Sequence, residues 1–362
     1  MRRRAIKATI HYKFPHIEQL RNILVALKHE YQNPVQTTDG WVFDETLPLP
    51  TIMFEGTVKL HGSNCAIVIN SDGTIYAQSR ETILTPQSDY KGFAKFVADI
   101  HPIELSDRLI FELREEAHQR NVPLIIYGEW CGQGIQGGVG ISQLPKMFVI
   151  FAMKIGEKWC DPYEFCKITL PSKNIRNVYE APGLDNAIKI DFNNISEDLL
   201  SELGKLTEDI EKECPFAKLF GISGIGEGIV WRSLMEKNRE GDPWLFKTKG
   251  EKHKNVKETK VVQLNPDVAA SNAEVVSSVL TEQRLSQGIE KLGEMGLEVS
   301  KKNTPAFLKW IQDDIRRENR DLIEALKLNE IEALKLNEVA ENALFRDIQK
   351  QAREWFFKQP GV

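Results

Sequence analysis

The sequence has no apolar run approaching the roughly 18 residues that a membrane-spanning helix needs, so nothing in it predicts a bilayer span. It shows no signal core either. The basic start, Met1 to Lys7, leads into no apolar stretch. The expected location is therefore the cytoplasm. Cysteines are few, five in 362 residues, and their number is odd. Cys65, Cys131, Cys160, Cys166 and Cys214 form no pair with the Cys-x-x-Cys spacing of a zinc or redox site. Free thiols in a reducing compartment are the expectation. An excess of positive charge is missing as well, the net charge being −5. A protein that grips nucleic acid by long-range charge alone is basic, so a nucleic-acid site here has to be a local patch. One candidate runs from Lys247 to Lys260. It carries lysines at 247, 249, 252, 254, 257 and 260 and His253, against Glu251 and Glu258. Strand signals fade and proline becomes scarce after about residue 265.

With 41% hydrophobic and 27% charged residues, the composition is that of an ordinary globular protein. The length suits two compact domains. Residues 16–31 place apolar side chains at helical spacing. Residues 51–69 are rich in Thr, Val and Ile and predict two strands joined by a tight turn over Lys59 to Asn64. Asp72-Gly73 marks a hairpin before a strand at 74–78. Residues 91–119 predict helix, broken near Pro102. Strands are expected at 122–130, before a Gly-rich stretch at 132–140, and at 147–155. A helix over 196–213 would have Ser196 as its N-cap. Two more strands follow at 228–232 and 244–248. From Asn272 to Lys358 helix formers dominate, predicting a separate helical domain linked near Asn265-Pro266. Within it the unit IEALKLNE occurs twice in tandem, at 323–330 and 331–338. A step of eight residues turns a helix about 80° beyond two full turns. The two copies then face different ways, which suits a surface duplication better than a coiled-coil seam.

Five short motifs stand at expected strand ends or turns. In Lys59-Leu60-His61-Gly62-Ser63-Asn64 a lysine occupies a tight turn, where Gly, Asn and Asp are the usual residues. Lysine is a nucleophile when desolvation or neighbouring cations free its amine, although a solvated loop lysine would look the same alone. In Tyr127-Gly128-Glu129-Trp130 a carboxylate ends an apolar strand. It either faces water or accepts hydrogen bonds from ribose hydroxyls. Phe148 to Phe151 is an aromatic strand, suited to a core or to stacking on a purine. Glu227-Gly228-Ile229-Val230 puts another carboxylate at the mouth of a strand, where it could face water or hold a hard cation such as Mg²⁺. In Lys247-Thr248-Lys249 strand alternation sets both lysines on one face. Such a pair is either solvated or brought together by a polyanion such as triphosphate.

In this order and spelling the five motifs resemble the covalent nucleotidyltransferase superfamily of DNA ligases, RNA ligases and capping enzymes. The runs Lys59 to Asn64 and Gly128-Glu129-Trp130-Cys131-Gly132-Gln133-Gly134-Ile135-Gln136 are most similar to the bacteriophage double-stranded RNA ligases and the RNA-editing ligases. The resemblance covers about residues 50–255. It implies an α+β fold: a nucleotidyltransferase domain over 1–265, built on antiparallel sheets with flanking helices, and a helical domain over 266–362 that engages RNA ends. It implies an ATP-dependent ligase that joins a 3′-hydroxyl to a 5′-phosphate at nicks in duplex RNA or RNA–DNA hybrids, with Mg²⁺, or Mn²⁺ in its place, and no membrane partner. Lys59 would carry AMP, and His61 would act mainly after enzyme adenylation. Leu60, Asn64 and Arg80 would line the nucleotide and its phosphates. Glu129 would hold the ribose and Phe151 would stack on adenine. Glu227 would bind metal or assist the nucleophile, and Lys247 and Lys249 would hold the phosphates.

Two spellings depart from the family. Phe151-Ala152-Met153 stands where Phe-Asp-Ile is usual, and Glu81-Thr82 follows Arg80 in place of Thr-Gly. DNA ligases and capping enzymes, the nearest alternatives, carry a β-rich domain after the last motif. The helix formers here argue against both. A non-catalytic RNA-binding scaffold would be expected to lose some of Lys59, Glu129, Glu227, Lys247 and Lys249, and all five are present.

Overall fold

The computed structural model describes residues 9–37, 40–100, 108–181, 184–250, 272–319 and 337–362. The chain forms two compact units, 1–252 and 253–362. The expected link at Asn265-Pro266, the expected break at Pro102, residues 251–260 of the basic patch and most of the tandem repeat lie outside the described residues. No helix among the described residues is long and apolar enough to cross a membrane.

The first unit opens with helix α1 (Leu20–Tyr31) and a small hairpin, β1 (Val35–Thr37) with β2 (Gly40–Val42). Two sheets follow. One joins β3 (Thr51–Lys59), β11 (Leu184–Asp191), β12 (Gly228–Lys237) and β13 (Pro243–Lys249) in the order β11-β3-β12-β13. The other contains β4 (Ser63–Ile69), β5 (Ile75–Ser79), β6 (Ile83–Leu84), β7 (Leu124–Cys131), β8 (Met147–Ile155), β9 (Lys158–Trp159) and β10 (Ile175–Asn177). Its order is β10-β8-β7-β4-β5-β6, with β9 on β8. Its pairs are antiparallel except β10 on β8.

Strand alternation gives each sheet two distinct faces. On the four-stranded sheet, Ile52, Phe54, Ile229, Trp231 and Phe246 turn to one side and pack with Ile23 and Leu27 of α1 and with Leu203 and Ile210 of α5 (Glu197–Lys212). Trp231 stacks on Phe246 at 5.9 Å between ring centroids. On the seven-stranded sheet, Cys65, Ile67, Ile126, Phe148 and Ile150 face α2 (Phe93–Ala98), α3 (Arg108–Gln119) and Phe165 of the short α4 (Pro162–Phe165). Each such side chain stabilises the fold by about 1.5–3 kcal/mol. The opposite faces look at one another, and Ala66, Val68, Tyr127 and Ala152 share a cluster with Leu245 across the gap. The short α6 (Pro215–Lys218) buries Phe216 and Ala217 in the same core as α5.

Three expectations change. The strands before and after Lys59 do not pair as a hairpin. β3 and β4 belong to different sheets, so residues 60–62 step across the gap between them. Helix α1 begins at Leu20 rather than at 16, because Glu18 is drawn into the sheet: its N–H donates to Leu245 O at 3.2 Å, and Lys247 N–H donates to Glu18 O at 2.9 Å. β12 continues to Lys237, five residues beyond the expected end. The expected cap holds: Ser196 accepts from Leu199 N–H at 3.2 Å.

The second unit is helical throughout its described residues, with α7 (Asn272–Val279), α8 (Glu282–Glu294), α9 (Thr304–Glu318) and α10 (Asn337–Phe356). It has its own core, in which Phe307 stacks on Phe356 at 4.5 Å and Ile311, Ile315 and Ile348 are buried. Arg284 is fully buried there and donates to Asp314 at 2.8 Å and to Asn319 at 3.3 Å. A buried guanidinium needs such partners.

Candidate active site

The register of the four-stranded sheet sets the site. Gly228 lies opposite Lys59 on one side and opposite Lys249 on the other, so the two lysines flank the start of β12 on one face. Two residues along, Thr57, Val230 and Lys247 form the next row. Glu227, just before β12, is 3% exposed and takes three cationic or protic neighbours. Its Oε2 accepts from Lys59 Nζ at 2.7 Å and from His61 Nδ1 at 3.2 Å, and its Oε1 pairs with Lys249 Nζ at 3.0 Å. A carboxylate only accepts, so His61 Nδ1 carries the proton in this arrangement. Burial pushes the Glu227 carboxyl up, but Lys59, Lys249 and His61 together overcome that and hold it well below the usual carboxylate range. Glycine is required beside it: Gly228 has φ +151°, and a Cβ there would meet Thr248 O at 2.1 Å.

The turn after Lys59 is clamped from the other sheet. Gly62 N–H donates to Glu129 Oε1 at 2.9 Å, and Gly62 O accepts from Gln136 Nε2 at 2.8 Å. A Cβ on Gly62 would lie 2.4 Å from Trp130 O, which explains the glycine in the first motif. Asn64 lies opposite Glu129 in register. A bulge shifts the β7–β8 register: Tyr127 pairs with Ala152 and Gly128 with Ile150, so Phe151 is the extra residue. The extra residue lets Phe151 and Ala152 both face the gap between the sheets.

That gap is a cleft of about 710 Å³, counted with its open mouth. Lys59, Leu60, Asn64, Glu129 and Phe151 all line it. The structure thus gathers them although 92 positions separate the first from the last. Lys247 lies on the same face, one row from Lys249. Arg80 is not among the lining residues. It sits just past the Cys65–Ser79 pair and contacts His16 Nδ1 at 3.3 Å and Glu81 at 3.7 Å. The other inner wall was not foreseen. Phe14 and Ile17 come from the N-terminal strap and Trp159 and Tyr179 from elements that carried no motif, while Arg232 stands two residues beyond Val230 of the fourth motif. Gln136 stands inside the Gly-rich run, but its spelling alone gives no sign that it bonds the turn at Gly62. No group of three His, Cys, Asp or Glu able to hold a metal occurs among the described residues. The cations around Glu227 occupy both of its oxygens, so the residues as placed do not fit a metal cage built by the protein.

Comparison with known proteins follows the same outline. The model of the RNA ligase family matches residues 53–249, which is more than half of the chain and contains all but one of the elements that build the cleft. The chain belongs to the RNA ligase family. The family region begins in β3 and ends at Lys249, leaving the N-terminal strap and the helical unit outside it. Among solved structures the chain is similar to a lysine-to-methionine variant of Naegleria gruberi RNA ligase with AMP and Mn, at 18% identity and a TM-score of 0.38 over 67% of this chain and 56% of that one. It is likewise similar to Naegleria gruberi RNA ligase with PPi, at 18% identity and a TM-score of 0.39 over 68% of this chain and 60% of that one. The chain therefore spans less than two thirds of those structures. Among curated proteins, nothing matches it.

Proposed function

We propose that the protein is an ATP-dependent RNA ligase that joins a 3′-hydroxyl to a 5′-phosphate at nicks in duplex RNA or RNA–DNA hybrids. The observation that carries this reading is the convergence of Lys59, His61 and Lys249 on the buried Glu227 beside the cleft that Lys59 lines. Lys59 Nζ attacks the α-phosphorus of ATP. A P–N bond forms, the P–O bond to pyrophosphate breaks, and AMP is held on the lysine. An oxygen of the RNA 5′-phosphate then takes the AMP, breaking the P–N bond. Finally the 3′-hydroxyl attacks the 5′-phosphorus and AMP leaves.

Each step is an in-line displacement at phosphorus, in which positioning and charge do most of the catalysis. Lys247 and Lys249 supply that charge from one face of β13. Glu227 orients Lys59, and triphosphate arriving on this face competes with it for Lys249. Glu129 takes the ribose hydroxyls, Asn64 and Leu60 border the sugar and phosphates, and Phe151 stacks on the base. Once Lys59 holds AMP its nitrogen is no longer a cation, and Glu227 is left with His61 and Lys249. That gives His61 its part in the second step. Arg80 lies outside the cleft lining, and this reading gives it no contact with ATP. A divalent ion, Mg²⁺ or Mn²⁺, would travel with the triphosphate, whose oxygens suit it. The helical unit engages the RNA ends.

Incubation with α-labelled ATP tests the centre of this reading. The wild-type chain should take up label and Lys59→Ala should take up none. Undiminished labelling of that variant would refute the role of Lys59. Matched nicked RNA, DNA and hybrid duplexes then test the substrate, with sealing expected on the RNA and hybrid duplexes, and sealing of DNA alone would refute it.

A further inference from the structure

A second group of cations stands beside the turn that follows Lys59, outside the five motifs. Residues 90–92 form a strained turn just before α2. Lys91 has φ +50° and Gly92 has φ +90°, two left-handed residues in succession. A lysine in that region costs free energy and persists only where its surroundings hold it. Lys91 O accepts from Trp130 Nε1 at 3.3 Å and from Lys146 Nζ at 2.8 Å, and Phe93 N–H donates to Tyr90 O at 3.0 Å. The strained turn is tied to the Lys59 turn at two points. Ser63 Oγ donates to Tyr90 OH at 3.2 Å. Lys91 Nζ donates to Ile135 O, next to Gln136, which bonds Gly62 O. The strain thus sets two ammonium groups against the Gly-rich run that clamps the nucleophile's turn.

Both ammonium groups rest on backbone carbonyls. Asp89, close by in sequence, has its oxygens on the N–H groups of Ala94 and Lys95 at 2.6 and 3.1 Å. Lys146 is exposed, and an ammonium carries N–H groups beyond the one that bonds Lys91. The Gly-rich run adds open backbone. Gly134, Gly137 and Gly138 are exposed, and a Cβ on any of them would meet nothing within 4 Å. Among the described residues nothing accepts from the N–H groups of Gly137 and Gly138. Open amides beside ammonium groups suit an anion that must approach the backbone closely. We propose that Lys91, Lys146 and the backbone of residues 134–138 bind the sugar-phosphate backbone of an RNA strand next to its reacting end. This rests on the ligase reading, which brings RNA to Lys59, and adds a contact surface that the reading does not assign. Lysine binds phosphate as a point charge, and such contacts hold a strand in place without reading its sequence. With a net charge of −5, the chain needs local charge of this kind to hold a polyanion.

The test follows single-turnover sealing by the full-length chain as the concentration of nicked RNA duplex is raised, between about 50 and 200 mM salt. Self-labelling with ATP, which needs no RNA, shows in parallel that each variant is folded. Lys146→Ala should raise the half-saturating RNA concentration while the saturating rate holds. The fall of log affinity with log salt should become shallower by about 0.7–0.9, the effect of one lost phosphate contact. Lys91→Asn removes the second charge and puts in a residue that tolerates the left-handed turn. Added to Lys146→Ala, it should make the slope shallower by about the same amount again. Lys205→Ala removes an equal charge from the exposed face of α5 and should keep the wild-type slope. A wild-type slope in Lys146→Ala, or an equal change in Lys205→Ala, overturns the site. A wild-type chain that labels itself but seals no duplex would instead overturn the RNA reading beneath it.

Discussion

At Glu227 two opposing effects meet in one side chain. Burial favours the neutral acid, and three neighbours favour the anion. The anion wins because two ammonium groups lie within 3.0 Å. A carboxyl held below its ordinary value adds stability that is fully present above the unfolded pKa, 4.5, and is lost as pH falls through the lower folded value. Glu227→Gln should therefore be destabilised at pH 7. The loss should lie toward the low end of about 3–5 kcal/mol, since both lysines keep some solvent. Urea denaturation from pH 7 to pH 3 should show the gap between variant and wild type shrinking below pH 4.5, and a gap constant across that range would contradict the ion cluster. His61 bonds the same oxygen as Lys59, and the proposed reaction makes Lys59 rather than His61 the nucleophile. His61→Ala should slow transfer of AMP to RNA more than self-labelling, as single-turnover assays of the two steps would measure, and an equal loss in both would remove its separate role. Gly62 is limited by space: a Cβ 2.4 Å from Trp130 O forces the turn away from Glu129. Gly62→Ala should suppress labelling while leaving the far-ultraviolet circular dichroism unchanged.

At the scale of elements, much of the molecule was legible because its signals are local. Apolar runs over 122–130 and 147–155 marked two strands, found at Leu124–Cys131 and Met147–Ile155, and Ser196 marked a helix start. What failed was non-local. Residues 16–19 have helical spacing, but their backbone pairs with β13, 227 positions on at Leu245, and a window along the chain cannot weigh that bond. Lys59 to Asn64 looked like a hairpin turn because two strand patterns flank it, and nothing in the flanks says that they enter different sheets. The N-terminal strap carries no motif, yet it forms a wall of the cleft. Gln78 holds the Tyr12 backbone from both sides, at 3.0 and 2.6 Å, and Phe14 meets Tyr127, Phe151 and Trp159 edge-on. Phe14→Ala should cost about 3–5 kcal/mol of stability. It should also raise KM for ATP more than it lowers kcat, because the support behind Phe151 is removed. A KM equal to that of the wild type would show that the strap only stabilises.

At the scale of the whole molecule, two separate cores imply two separable tasks. A chain ending at Lys252 keeps every residue of the cleft. It should retain self-labelling with ATP and lose sealing of nicked RNA about tenfold or more, the effect of some 1.4 kcal/mol of lost RNA engagement. Loss of both activities would contradict that division. The sequence by itself determined the residue types, their order and the faces they occupy, because strand and helix periods are properties of neighbouring residues. Periodicity marked the segment from Asn272 as helical, while Lys59, Glu129, Phe151, Glu227, Lys247 and Lys249 became candidates only through the resemblance of five ordered motifs to a known family. Only the tertiary structure decided that Glu227 closes on Lys59 across 168 positions, that Gln136 clamps Gly62, and that Arg80 stands outside the cleft. The first depends on which strands pair within one sheet and the others on how the two sheets pack face to face, and both are set by the buried side chains together rather than by any stretch of the chain.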